Sequence, residues 1–172
     1  DSNLSKASAS TANARKELSA KNFKISLEEI KTAETEIDAA AIIIKKKALT
    51  SSIEKLRKDV DANKKTTTSS EAKEDLDRAI IALNSAESSV EQNNLEDAAL
   101  RIKEAENLIG GADIKQKEKN ALAALDKAET LLKQAGEKDK ENKHRDNLKK
   151  AENLIISGRK SVKDKKFNDG IN

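Results

Sequence analysis

The chain contains a single histidine, His144, in KDKENKHRDN, its most densely charged stretch. An imidazole can serve as general base or metal ligand near neutral pH. Either role needs companions at fixed spacing, such as a second imidazole or a thiolate for zinc. There is no cysteine and no second histidine, so His144 reads as a solvated side chain. A di-metal centre inside a helical bundle takes Glu-x-x-His on two inward faces, which one histidine cannot supply. Five glutamates, Glu34, Glu87, Glu106, Glu129 and Glu152, recur at matching points of a repeated phrase. Each follows a core-facing alanine, so it flanks a helix seam, where pairing with lysine is expected rather than acid–base work. Gly110-Gly111 lacks the Gly-Lys-Ser/Thr continuation of a phosphate loop, and no serine sits in a nucleophile elbow. The expectation is a non-enzyme with no metal or other cofactor.

Charge points instead to binding. From Lys138 to Lys166 there are 11 Lys/Arg against 5 Asp/Glu, a balance of +6, while the whole chain is +3 and the remainder is therefore −3. The residues nominated for partner contact are Lys138, Lys140, Lys143, Arg145, Lys149, Lys150, Arg159 and Lys160. Such a pole steers acidic proteins or sulfated glycans. Nucleic acid is disfavoured, because the interspersed acids dilute the charge and only two aromatic residues are present for base stacking.

The elements carrying this pole follow from the phrase [apolar]-x-x-Ala-Glu-x-x-[apolar]. It occurs at Ile30–Ile37, Leu83–Val90, Ile102–Ile109, Leu125–Leu132 and Leu148–Ile155. Positions i, i+3 and i+7 share one helical face, with alanine as the small middle knob. A shift of 72 residues aligns Phe23 with Leu95, Ile30 with Ile102, Ala33 with Ala105 and Leu83 with Ile155. Proline, tryptophan, tyrosine and methionine are absent and charged residues reach 38 %, a composition nearly devoid of the aromatic strand formers. The fold expected is all-α, an elongated antiparallel helical bundle built by tandem duplication of a roughly three-helix, 72-residue unit.

Capping boxes at Ser26 and Ser51, a cap at Ser69 or Ser70, and stops at Asn93-Asn94, Gly110-Gly111, Gly136 and Gly158 predict seven helices, near 8–21, 26–48, 51–63, 70–92, 95–109, 113–135 and 139–157. Residues 1–12, rich in serine, alanine and asparagine, read as a flexible segment and processed start. The bundle is expected over 13–166, with repeat units of about 19–90 and 91–162. The tail, 167–172, reads as the opening of a further unit. No apolar run approaches the ~20 residues of a membrane span.

Phrases such as ALTSSIEKLRKDVDANKK and KKAENLIISGRKSVKDKKF, with the cysteine-free, Lys/Glu/Asn/Ile-heavy helices, resemble the helical outer-surface lipoproteins of Lyme and relapsing-fever spirochaetes. Among these, the chain is most similar to the C-terminal domains of the fibronectin-binding lipoprotein family, with factor H-binding and matrix-binding relatives close. The resemblance implies display on a bacterial outer surface through a lipid anchor whose cysteine is not in this sequence. It also implies a host protein as partner, a complement component or an extracellular-matrix protein. Two modes of immune evasion follow from it: inhibition of the protease that initiates the classical complement pathway, or recruitment of a complement regulator. A structural repeat or spacer of a longer surface protein, and a matrix or glycan adhesin, are the alternatives.

Overall fold

The computed structural model describes residues 2–139 and 143–164. Among them the chain is all-α: five helices, packed antiparallel as a bundle, α1 (Ser2–Ser19), α2 (Phe23–Thr66), α3 (Ser70–Glu91), α4 (Leu95–Lys138) and α5 (Arg145–Lys163). Residues 2–12, expected to be flexible, are the opening turns of α1, whose Ala7 and Ala14 are buried. Five helices replace seven because two expected breaks do not form. Ser51-Ser52 lies within α2 and Gly110-Gly111 within α4. Instead of capping a new helix, the Ser52 hydroxyl donates to the Ala48 carbonyl one turn back, at 3.1 Å. Buried residues continue past each site, with Ile53 and Val60 on α2 and Ala105 and Ala112 on α4. Burying an unbroken stripe outweighs about 1 kcal/mol per glycine. Gly136 and Gly158, also expected as stops, lie inside α4 and α5. Each 72-residue interval thus holds one long and one short helix rather than three.

The tight turns do fall where polar residues interrupt the pattern. After α1, the Lys21 N–H bonds the Leu18 carbonyl at 3.0 Å and the Asn22 N–H bonds the Glu17 carbonyl at 2.9 Å. After α3, the Asn93 N–H bonds the Val90 carbonyl at 3.1 Å and the Asn94 N–H bonds the Ser89 carbonyl at 2.8 Å. Both are Schellman endings, with the pivotal residue left-handed: φ is 61° at Lys21 and 64° at Asn93. Asparagine tolerates that conformation and is a signal for it, whereas lysine is not. Asn94 then accepts the Asp97 N–H as the cap of α4.

The chain divides into two compact units, Asp1–Arg57 with Ala82–Lys103, and Lys58–Ile81 with Glu104–Asn172. Helices α2, α3 and α4 each give residues to both. In the first, α1 and the start of α2 bury small residues, Ala7, Ala14, Ser26, Ala33 and Ala40. The Ser26 hydroxyl donates to the Ala14 carbonyl at 2.9 Å, which a larger residue would prevent. The later part of this unit buries Ile53, Leu83, Ala86, Leu95 and Ile102. Arg57 donates to Asn84 and Glu87, each at 2.8 Å, fixing α2 beside α3.

The second unit buries Val60, Ala72, Leu76 and Ala79. It also holds a cluster of Ala121, Leu125, Ile155 and Val162, flanked by Leu122, Ala128 and Leu132. The loop between α2 and α3 is clamped from α4. The Gln116 amide oxygen accepts the Thr68 and Ser69 N–H groups at 2.7 and 3.0 Å, and the Lys119 ammonium donates to the Thr68 carbonyl at 2.7 Å. Asp75 pairs with Lys115 at 2.6 Å, and that hydrogen bond holds the Lys115 ammonium above its usual range. A Cβ on Gly111 would stand 3.4 Å from the same Asp75 carboxylate, while a Cβ on Gly110 meets nothing within 4 Å. Gly110→Ala is therefore expected to stabilise the chain by about 0.5–1 kcal/mol. Gly111→Ala should gain less, as comparison of their urea midpoints will show.

One expectation of the repeated phrase is only half met. Ile30 and Ile37 flank the buried Ala33 yet are themselves exposed. Ile30 is 43 % exposed, against 7 % for Ile102, and Phe23 is 65 % exposed, against 9 % for Leu95. The sequence supplies a reason. Where α3 offers Leu83, α1 offers Thr11 at the position 72 residues earlier, so α1 meets α2 through alanines and leaves the larger side chains uncovered.

Candidate binding face of helix α5

Helix α5 begins at a turn that Asp139 organises, its carboxylate accepting the Lys143 N–H at 3.0 Å and the His144 N–H at 2.9 Å. His144 is exposed and its side chain makes no capping hydrogen bond. Among the described residues no group of His, Asp or Glu could hold a metal ion. The inward side of α5 is Ile155, Gly158 and Val162, with Leu148 and Ala151 partly buried. The small Gly158 is part of that packing face, which gives it a role other than stopping the helix.

At about 100° per residue, Arg145, Lys149, Glu152, Ile156, Lys160 and Lys163 fall on one outward stripe, and all six are exposed. The four cations make no ion pair with another described residue. Ile156 is 61 % exposed in the middle of them. It borders a groove of about 310 Å³ shared with Glu129, Leu132, Lys133, Glu152 and Ile155. An apolar centre in a face with a net excess of cations suits a partner carrying an apolar residue among carboxylates.

Of the nominated residues, Arg145, Lys149 and Lys160 lie on this stripe. Lys150 is exposed but lies about 100° round the helix from Lys149. Lys138 is the exposed last residue of α4, and Lys143 lies in the turn before α5. Lys140 lies outside the described residues. Arg159 has a different role: its guanidinium donates to Glu129 at 2.6 Å and to Asp126 at 2.8 Å, tying α5 to α4. Ile156 and Lys163 were not nominated. Ile156 sits one residue after the apolar close of the phrase Leu148–Ile155, so an apolar residue out of register was the available signal. Lys163 was visible only as one charge of the run.

The Arg159–Glu129 bond has an acid-side consequence. The Arg159 guanidinium, hydrogen-bonded to Glu129, holds that carboxyl below its usual value of 4.5. The same bond, with help from Asp126, holds Arg159 above its ordinary range. A carboxylate with a depressed folded pKa stabilises the fold above its unfolded pKa and loses that contribution as pH falls through the folded value. Below about pH 4.5 the wild type should therefore lose stability progressively, and Glu129→Gln should flatten that part of the acid limb in pH-resolved thermal melts.

Among the described residues no helix is long and apolar enough to cross a membrane. No family model, curated protein or solved structure matches the chain.

Proposed function

We propose that the chain is a non-enzymatic binding module displayed on a bacterial surface. It engages a host plasma protein, foremost a complement component, through the α5 face of Arg145, Lys149, Ile156, Lys160 and Lys163. The observation that carries this reading is an exposed isoleucine set among four cations and one carboxylate, the cations in no ion pair with another described residue. The resemblance to spirochaetal surface lipoproteins supplies the class of partner. Binding there would act by occluding a protease or by recruiting a regulator, since neither mode needs a catalytic group.

The test is retention of human serum proteins on the immobilised chain at physiological salt, compared with a variant carrying Arg145→Glu, Lys149→Glu, Lys160→Glu and Lys163→Glu. Arg159 is left intact because its bonds hold α5 in place. Capture of a complement component by the wild type and its loss from the variant is the expected result. Equal capture by both, or none by the wild type, overturns the assignment. Heparin retention abolished by modest salt, without serum capture, would instead mark a glycan adhesin.

A second reading, a structural repeat produced by tandem duplication of a 72-residue unit, is favoured by particular equivalences. The α2 and α4 helices are each 44 residues long and begin 72 apart, at Phe23 and Leu95. The left-handed residues Lys21 and Asn93 are also 72 apart. The Arg57–Glu87 bridge has its counterpart in Glu129–Arg159, at positions 72 further on and with the charges exchanged. A repeat that stacks on neighbours needs faces to stack with.

A further inference from the structure

The start of α2 carries an apolar face that nothing among the described residues covers. Phe23, Ile30 and Ile37, spaced by seven, form one stripe, and all three are exposed. Ile37 borders a groove of about 600 Å³ whose other wall is α1, with Leu4, Ser8 and Thr11. The matching residues on α4, Leu95 and Ile102, are buried, so the same spacing elsewhere in the chain serves a covered face. Isolated exposed apolar residues need no explanation, but a continuous stripe along a helix does.

Its charges indicate what covers it. Between Phe23 and Asp38, α2 has five acids, Glu28, Glu29, Glu34, Glu36 and Asp38, against Lys24 and Lys31, a balance of −3. Glu36 faces Lys6 of α1 at 3.9 Å, whereas Glu34 lies beside Ile30 and Ile37, and Asp38 follows one turn on from Glu34, on the far side of it from the apolar stripe, at about 100° per residue. Helix α5 is its complement. It has six cations against Asp146 and Glu152, a balance of +4, and it presents Ile156 among them. The lengths also agree: the 16 residues from Phe23 to Asp38 span about 24 Å and the 19 of α5 about 28 Å at 1.5 Å per residue.

We infer that the Phe23–Ile37 face of α2 docks α5 of a second copy of this chain. This deepens the assignment of α5 as a docking face, on which it rests. The two surfaces are different patches, so the contact is heterologous and leaves an α5 face free on one copy and an α2 face free on the other. Association proceeds head to tail, driven by apolar contact of Ile156 with Ile30 and Ile37, and steered by Lys149 and Lys160 towards Glu34 and Asp38.

Sedimentation velocity at 50 mM salt tests this with two variants. One carries Ile30→Asp with Ile37→Asp, both at exposed positions, and the other Lys149→Glu with Lys160→Glu. The wild type should form species that grow with concentration beyond a dimer, and 300 mM salt should weaken them about tenfold. Each variant alone should be monomeric. An equimolar mixture should form a 1:1 dimer and nothing larger, because it contains one intact α2 face and one intact α5 face. Glu34→Lys with Asp38→Lys, which leaves the apolar residues in place, should also abolish association and covers the case in which the aspartates perturb folding. A wild type that stays monomeric, a mixture that stays monomeric, or an α5 variant that still self-associates overturns the inference. Monomeric wild type that still captures a serum protein through α5 removes the second copy as partner and leaves the host-protein reading standing. Loss of both removes α5 as a docking face.

Discussion

Leu83→Ala is expected to destabilise the chain by about 3 kcal/mol, with a range of about 2–5. Leu83 is fully buried and sits on α3 beside Asn84, the residue that Arg57 of α2 binds. Truncation removes its burial and leaves a cavity lined by helices that relax only in part. The leucine opens one copy of the repeated phrase, so the result measures what that phrase contributes through packing. Ile44→Ala is the control. Ile44 is just as apolar, but 61 % exposed, and its loss should cost under about 0.5 kcal/mol. Equilibrium urea denaturation of both variants checks the contrast, which hydrophobicity alone would not produce.

Ala105→Leu is expected to destabilise by about 1–3 kcal/mol, although leucine is more hydrophobic and an excellent helix former. Ala105 has no exposed surface and is the middle residue of the copy Ile102–Ile109. A small residue there lets neighbouring helices approach closely, and three added carbons force side chains off their rotamers or the helices apart. The same change at Ala151, which is only partly buried on α5, should cost less. If Ala105→Leu stabilised the protein, alanine in the phrase would be a matter of helix propensity and not of packing. A shift in the midpoint with an unchanged denaturant slope is the expected signature.

Much of the architecture was legible because the phrase encodes a helical face directly. The helical spacing of apolar residues and the small middle residue lead to the antiparallel helices that form. The misreadings came from local signals that tertiary burial overrode. Gly110-Gly111 carries a stop signal, but a helix stops only when the gain from continuing is small, and Ala105 and Ala112 are buried on either side. Ser51 and Ser52 resemble a cap, yet a hydroxyl can bond one turn back and remain helical, as Ser52 does. Lys21 takes a left-handed conformation that its residue type does not signal.

The candidate face was legible only as net charge. A count of lysines and arginines cannot tell that Arg159 meets Asp126 and Glu129, because that depends on how α5 lies against α4. Nor can it separate Lys149 from Lys150, adjacent in sequence and about 100° apart around the helix. The exposure of the α2 stripe is not legible in the sequence for a related reason. The pattern marks which residues share a face, while coverage depends on the opposing helix, and α1 offers Thr11 where α3 offers Leu83.

In the proposed reading the outward cations of α5 steer a partner onto the chain, while Asp126 and Glu129 of α4 hold that helix in place through Arg159. The most direct measurement is the association rate of the serum protein retained by the immobilised chain, followed from 50 to 300 mM salt for the wild type and for the variant reversed at Arg145, Lys149, Lys160 and Lys163. Charge steering predicts a rate that falls steeply with salt in the wild type and a flat, slower rate in the variant. Equal salt dependence in the two proteins would contradict it.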